Sequence, residues 1–250
     1  MSAPVHVVTG GARGFGRAIC ERLIADGGQV CLLGRSQSSL DEAVAALGQC
    51  AAAYVCDVAD SHSVDAAFAR VRERHGRINS LVTNAGVARP NAVENLDPAE
   101  VALQVNTNFL GTVFCCKAAI PLLRGATNPR ILTVSSASAW HIDEMVHLSI
   151  YAASKAAVER FTRDLREELQ DDGIGVTCLR PGSAESGFAA DWRPDLLEAA
   201  FASWRETGPS MDVGMTTIQV ADAVAWALSQ PPGVAVDLLE IRPNIKAPKP

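Results

Sequence analysis

Tyr151-Ala152-Ala153-Ser154-Lys155 opens a segment of strong helical periodicity, which puts a phenol and an ammonium at i and i+4 on one helix face. A free tyrosine titrates near pH ~10 and exchanges protons poorly at neutral pH. A nearby ammonium favours the phenolate and lowers that value. Such a pair can give a proton to a carbonyl oxygen or take one from an alcohol. Hydroxyls stand just upstream: the run Arg130–Ser135 reads as a strand and leads into Ser136 and Ser138. The second chemical feature is Thr9-Gly10-Gly11-Ala12-Arg13-Gly14-Phe15-Gly16, spaced TGxxxGxG, between an apolar run and a helical pattern. Glycines there permit a tight turn and close approach of backbone to a pyrophosphate, and the helix N-terminus behind them supplies free N–H groups. In isolation the octamer is only a glycine turn. Between the first strand and first helix of a βαβ unit it reads as a dinucleotide site.

The choice of dinucleotide is read at the end of the second strand. An acidic residue there binds the ribose 2′-hydroxyl of NAD, whereas an arginine accommodates the 2′-phosphate of NADP. The run Val30–Leu33 ends in Gly34-Arg35-Ser36 with no acid, and Arg13 lies in the glycine turn. Two guanidiniums suit a phosphate dianion through charge-assisted bonds. NADP(H) is therefore favoured over NAD(H). The alternative is that both arginines are solvated surface residues.

These groups need a scaffold, and the remaining sequence supplies one. Strands are expected near Val5–Val8, Val30–Leu33, Ala53–Cys56, Ser80–Thr83, Arg130–Ser135, Gly175–Leu179 and Val236–Ile241. Helices are expected near Gly14–Asp26, Ser38–Leu47, Ser61–His75, Pro98–Leu123, Tyr151–Asp171 and Ile218–Ser229. Alternation of this kind makes βαβ crossovers, so the expected fold is α/β: a Rossmann-like, doubly wound, seven-stranded parallel sheet flanked by helices. No linker or repeat divides the 250 residues, which read as one dinucleotide-binding and catalytic domain, residues 1–250. Two stretches break the rhythm, the loop Ala137–Ile150 and a longer connection over Gly182–Met215 that holds an amphipathic piece, Asp191–Trp204. Long connections in compact domains are often lids, and one is expected over about 183–215. The tail IRPNIKAPKP is either an extended arm or frayed.

The chain is 48% hydrophobic with a formal net charge of -6, which disfavours nucleic acid and anionic membrane as partners. Seven cysteines without CxxC spacing argue against a disulfide framework or a zinc site. Cys31, Cys56, Cys115 and Cys178 fall in apolar segments and read as small hydrophobes. No metal site is expected. The N-terminal stretch is not a signal peptide and no apolar run reaches membrane-spanning length, so a cytoplasmic location is the expectation.

Taken together in order, the motifs resemble those of the short-chain dehydrogenase/reductase family in its compact branch. The resemblance runs from Val5 to about Pro243. It rests on the glycine turn, Cys56-Asp57-Val58, Thr83-Asn84-Ala85-Gly86, Asn108, Ser135-Ser136, Tyr151 with Lys155, and Arg180-Pro181-Gly182. It implies that Tyr151 is the catalytic acid/base and that Lys155 binds the nicotinamide ribose and lowers the phenol's pKa. Ser136 would hydrogen-bond the substrate oxygen, and Asn108 would help hold a water that relays protons to Lys155. Cofactor contacts are implied for Gly10, Arg13, Gly14, Phe15, Gly16, Arg35 and Ser36, for Asp57 and Val58 at the adenine end, and for Asn84, Ala85 and Gly86. They are implied also for Tyr151, Lys155, Pro181, Gly182, Ser183, Ala184 and Ser186. The sequence departs from the family pattern in TNAG for the usual NNAG, and in Ser186 where threonine is common. Ser136 lies 15 residues before Tyr151 and Ser138 lies 13 before it, the commoner spacing. Strand register favours Ser136, with Ser138 a competitor.

The expected activity is NADP(H)-dependent hydride transfer between nicotinamide and a carbonyl or secondary alcohol of a small substrate. A catalytically silent dinucleotide-binding regulator or scaffold of the same fold is the alternative, and epimerisation or dehydration is disfavoured by the lack of a larger substrate domain. Substrate contacts are sought at Ser138, His141, Phe188 and Trp192. His141 and His147 are either near the substrate or solvated loop residues, while His6 reads as a hydrogen-bonded strand residue. Phe188, Trp192, Leu196, Phe201 and Trp204 are either an apolar lid, which would imply a partly apolar substrate, or the buried stripe of a small helix. The helices near Pro98–Leu123 and Tyr151–Asp171 carry surplus small residues, and the family resemblance implies pairing through them into a homodimer or homotetramer; the alternative is that these residues simply pack on the sheet.

Overall fold

The computed structural model describes residues 3–141, 146–207 and 214–244. Seven strands among them form one sheet: β1 Val5–Thr9, β2 Gln29–Gly34, β3 Ala51–Val55, β4 Ser80–Thr83, β5 Arg130–Val134, β6 Gly175–Pro181 and β7 Leu238–Ile241. They pair in parallel throughout, in the order β3-β2-β1-β4-β5-β6-β7. The strand order reverses direction between β1 and β4, which opens a crevice at the strands' C-terminal ends, where ligands of such sheets bind. This is the doubly wound α/β architecture expected from the alternating pattern.

The helices are α1 Gly14–Ala25, α2 Gln37–Leu47, α3 Ser61–His75, α4 Pro98–Val105, α5 Gly111–Leu123, α6 Ser149–Glu168, α7 Pro194–Thr207 and α8 Thr217–Leu228. Two apolar layers sandwich the sheet. On one face Phe68 and Val71 of α3, Cys115 and Leu123 of α5 and Leu165 of α6 pack against Val7, Leu81, Ile131 and Val176. On the other, Ile19 and Leu23 of α1, Leu40 of α2 and Val220 and Val224 of α8 cover Val8, Leu32, Leu132 and Leu179. Both faces of every central strand are buried, which is why those strands read as continuous apolar runs.

Several boundaries differ from expectation for identifiable reasons. β3 begins at Ala51, two residues early, because Ala51 to Val55 are held in register by Val30 to Gly34 of β2, and an alanine run carries no periodic signal of its own. β7 is confined to Leu238–Ile241, the residues with partners on β6. The helix expected over Pro98–Leu123 is broken by a π-helical turn, Asn106–Leu110, closed by the Gly111 N–H on the Asn106 carbonyl. Such insertions gather at functional positions, and this one contains Asn108.

Six cysteines are buried, Cys20 and Cys116 among them, and only Cys50 is exposed. Burial pushes the Cys31 and Cys116 thiols up to about 12, in keeping with service as hydrophobes. His6 Nδ1 lies 2.7 Å from Ser80 Oγ, and burial lowers its pKa to about 4. Among the described residues no cluster could hold a metal ion, and no helix is long and apolar enough to cross a membrane. Residues 142–145 of the loop before α6, 208–213 of the 183–215 connection and the tail from 245 lie outside the described residues.

Candidate active site

The glycine turn follows β1 directly. Gly10 has φ +65° and Gly14 φ +54°, left-handed values that favour glycine. A Cβ on Gly16 would collide with the Gly10 carbonyl, so the third glycine lets α1 start against the turn. Asn84, after β4, holds this turn from the neighbouring strand: its Nδ2 donates to Thr9 O at 2.9 Å, and Ala85 N donates to Thr9 Oγ1 at 2.9 Å. The first turn of α1 has no side-chain cap and no acidic residue, whereas α2, α3, α4 and α8 are capped by Ser36, Asp60, Asp97 and Thr216. Uncapped N–H groups at a glycine-lined helix start are the chemistry a pyrophosphate needs.

At the end of β2, Arg35 is exposed and has no hydrogen-bond or ion-pair partner among the described residues. Arg13 is differently engaged: its Nη2 pairs with Asp191 Oδ2 at 3.2 Å, a contact sequence spacing of 178 residues could not reveal. Ser36 is committed as the cap of α2, accepting from Ser39 N at 3.3 Å. Asp57 Oδ1 accepts from Ala59 N, which shapes the turn after β3. Of two further residues assigned to the cofactor side, one is buried and one half-buried. Val58 packs on Gly111, and Phe15 packs partly against the apolar layer on the α1/α8 face. Val58 offers a ligand little beyond its backbone, while part of Phe15 stays exposed.

Tyr151 and Lys155 lie on α6, which starts at Ser149, and face the ends of β5 and β6. Lys155 is only 3% exposed, and its Nζ donates to Val134 O at 2.7 Å. Its ammonium stands 5.9 Å from the Tyr151 ring centroid. Burial lowers the Lys155 pKa to about 8. Burial also raises the Tyr151 phenol above its ordinary value, while the Ser136 side chain, within hydrogen-bonding reach, pulls it down. Ser138 donates to Ser136 Oγ at 2.9 Å rather than meeting the phenol itself. The two serines thus divide: Ser136 faces Tyr151 and Ser138 orients Ser136.

Asn108 is fully buried. Its Oδ1 accepts from Val87 N at 2.8 Å, and its Nδ2 donates to Val87 O and Ser154 Oγ, each at 2.9 Å. The side chain is therefore spent on clamping the segment after Gly86, and a water relay could draw only on its backbone. Gly86 lies beside both groups, since a Cβ there would sit 3.4 Å from Asn108 Oδ1 and from Lys155 Nζ.

After β6, Gly182 N donates to Ile241 O at 2.8 Å. Ser183 O accepts from Met215 N, and an isolated bridge joins Ala184 to Met215. The chain then crosses the glycine turn so closely that a Cβ on Gly14 would stand 2.8 Å from Ser186 O. Beyond it an aromatic series leads away from the phenol: Tyr151 to Phe188 at 5.6 Å, Phe188 to Trp192 at 6.2 Å, and Trp192 to Trp204 at 6.2 Å between centroids. Trp192 and Trp204 are the buried stripe under α7, while Phe188 is 40% exposed beside Tyr151. Trp204 Nε1 also donates to Val146 O at 2.9 Å, tying α7 to the loop before α6. His141 is neither free nor fully solvated, because its Nε2 lies 2.6 Å from Glu240 Oε1 on β7. Asp191, Ser154, Glu159 and Glu240 escaped sequence reasoning. Of these only Glu159 carried a signal, one helical turn beyond Lys155.

With fold and geometry in hand, comparison with known proteins gives one answer. Residues 4–197 match the model of the short chain dehydrogenase family. Sulfoacetaldehyde reductase 2 of Chromohalobacter salexigens is 32% identical over 248 residues, covering 97% of this chain and 95% of that protein. Among solved structures, an alcohol dehydrogenase from the archaeon Thermococcus sibiricus complexed with 5-hydroxy-NADP superposes with a TM-score of 0.84 at 25% identity, covering 99% of both chains. A 3-ketoacyl-(acyl-carrier-protein) reductase from Brucella melitensis complexed with NADH gives 0.82 at 26% identity, covering 95% of this chain and 96% of that one. The chain belongs to the short-chain dehydrogenase/reductase family of oxidoreductases.

Proposed function

We propose that this chain is an NADP(H)-dependent ketoreductase or alcohol dehydrogenase acting on a carbonyl or secondary alcohol of a small, partly apolar substrate. The observation that carries the reading is the convergence of Ser136, just after β5, with Tyr151 and Lys155 of α6, beside Gly86 in the crevice where the strand order reverses. A nicotinamide dinucleotide fits this crevice: the uncapped start of α1 suits its pyrophosphate, and Lys155 can hydrogen-bond the ribose next to Gly86. The unpartnered Arg35 supports the 2′-phosphate form. Arg13 supports it less, because a phosphate would have to draw that guanidinium from Asp191.

When bound, the nicotinamide supplies or accepts the hydride. The protein's part is acid/base and electrostatic. In reduction the Tyr151 hydroxyl gives its proton to the substrate oxygen as negative charge builds there, and Ser136 donates a second hydrogen bond to the same oxygen. The burial that raises the Tyr151 phenol keeps it protonated and so ready to donate, while Ser136 opposes an excessive rise. The Lys155 ammonium stabilises the phenolate left behind. In oxidation the same atoms run in reverse. Phe188, exposed beside Tyr151, offers an apolar surface to the substrate, which supports a partly apolar ligand. The residues act as one catalytic domain with a lid over about 183–215, in a homodimer or homotetramer. Ala153 and Ala156, exposed on α6, are available for such pairing, whereas Cys115, Cys116 and Ala119 are already used against the sheet.

The test is a fluorescence titration with NADPH and NADH, followed by NADPH oxidation against ketones, quinones, 3-oxoacyl thioesters and keto-sugars. Tight NADPH binding with turnover that Tyr151→Phe abolishes, while leaving NADPH affinity intact, is the expected result. Binding without turnover on any substrate would favour a silent dinucleotide-binding regulator, and turnover that survives Tyr151→Phe would overturn the mechanism.

A further inference from the structure

One charged cluster lies beside the catalytic groups without belonging to them. Arg180, on β6 next to Pro181, is buried at 6% exposure. Its Nε and Nη2 grip Glu159 of α6 in a fork, at 2.9 Å to Oε1 and 2.6 Å to Oε2. Its Nη1 reaches Glu240 Oε2 on β7 at 2.8 Å. The Trp140 ring covers the guanidinium at 5.3 Å. Glu159 Oε1 also accepts from Ser135 Oγ at 2.8 Å, and the same hydroxyl donates to the Lys155 carbonyl at 3.3 Å. His141 closes the far side: its Nε2 lies 2.6 Å from Glu240 and 3.3 Å from Arg242 Nη1. Three members of the cluster sit next to site residues. Ser135 precedes Ser136, Glu159 follows Lys155 by four residues, and Arg180 precedes the Pro181-Gly182 bend.

We propose that Arg180 is a positioning residue of the catalytic unit: it locks α6 to the ends of β5, β6 and β7 and balances the Glu159 carboxylate, so setting the field in which the Tyr151 phenol ionises. The mechanical half follows from geometry. A bidentate guanidinium fixes both the distance and the tilt of its carboxylate, and Glu159 shares a helix with Tyr151 and Lys155. The electrostatic half follows from charge. The charged and titratable groups around this clamp are Glu159, on the same helix as Tyr151 and Lys155, Arg180 and Cys178 on β6, of which Cys178 lies near the Lys155 ammonium, Glu240 on β7, and His141 and Arg242 at the edge. Removing Arg180 leaves the partly buried Glu159 carboxylate without its counter-charge, which disfavours a phenolate. Removing Glu159 leaves Arg180 with one carboxylate fewer, which favours it.

The inference rests on the acid/base reading of Tyr151 but is measured without turnover. The chain has two tyrosines, Tyr54 and Tyr151, so Tyr54→Phe leaves Tyr151 alone to report. In that background, tyrosinate absorbance is titrated for the parent, Arg180→Gln, Glu159→Gln and the double variant, with far-UV circular dichroism confirming the fold at each pH. Arg180→Gln should raise the midpoint and Glu159→Gln lower it, each by on the order of half a pH unit, and the double variant should return toward the parent. Arg180→Lys, which keeps the charge but loses the fork, should leave the midpoint in place while lowering kcat for any substrate found. A merely structural role would lower thermal stability in both single variants without moving the midpoint in opposite directions. Unmoved midpoints, or shifts of one sign, would overturn the proposal. Because Arg180→Gln strands a partly buried carboxylate, Glu159→Gln and the double variant carry the test if that protein does not fold. Turnover surviving Tyr151→Phe would instead refute the acid/base reading beneath it.

Discussion

Lys155→Met should stabilise the protein while destroying its activity. Lys155 is 3% exposed, and burial lowers its pKa from 10.5 to about 8. At about 1.36 kcal/mol per pH unit, that displacement corresponds to roughly 3 kcal/mol of unfavourable free energy for keeping the ammonium buried at neutral pH. Methionine is of similar length and carries no charge, so it removes this cost. It also removes the hydrogen bond to Val134 O, worth about 1 kcal/mol. The net expectation is about 2 kcal/mol of added stability at pH 7, or roughly 4–8 °C in Tm for a chain of this size. The pH dependence gives the sharper check. Below about 8 the lysine is protonated both folded and unfolded, and the native protein bears the whole cost. Between that value and 10.5 the unfolded chain binds more protons than the folded one, so native stability rises with pH. Above 10.5 both states are neutral and the cost is gone. The advantage of Lys155→Met should therefore be full at pH 7 and fade to nothing, or reverse slightly, by about pH 11. Chemical denaturation of both proteins across this range measures it. A variant no more stable than the parent at pH 7, or one whose advantage persists undiminished at alkaline pH, would refute the reasoning.

Two further perturbations address the site. Arg35→Asp should weaken NADPH binding by about 10- to 100-fold, the worth of one charge-assisted phosphate contact, and improve NADH binding through the new carboxylate. Fluorescence titration with both nucleotides reads the ratio, and an unchanged ratio would show that Arg35 does not meet the phosphate. Ser136→Ala should reduce kcat by about 100-fold or more, and Ser138→Ala by distinctly less, since Ser138 meets the phenol only through Ser136. Equal losses, or a larger loss in Ser138→Ala, would reverse the assignment.

The order of elements, the parallel sheet, the glycine turn between β1 and α1 and the placing of Tyr151 and Lys155 on one helix were all legible in the sequence. Their signals are local: glycines at fixed offsets, continuous apolar runs in strands buried on both faces, and two side chains one helical turn apart. The division of labour between Ser136 and Ser138 was only half legible, because spacing pointed to one and strand register to the other. What was illegible is what arises between distant segments. Nothing local says that Arg13 meets Asp191, that Asn108 closes on Val87 across a π-helical turn, or that Val58 turns inward against Gly111. His141 read as either a substrate neighbour or a solvated loop residue, and its partner, Glu240, lies 99 residues away on the edge strand. Sequence alone determined which groups can do chemistry and which frame carries them, since periodicity and turn residues act over a few positions. The tertiary structure decided how those groups are charged and held. Burial of Lys155, the field around Tyr151 and the Arg180 clamp depend on which strand ends the parallel sheet brings side by side.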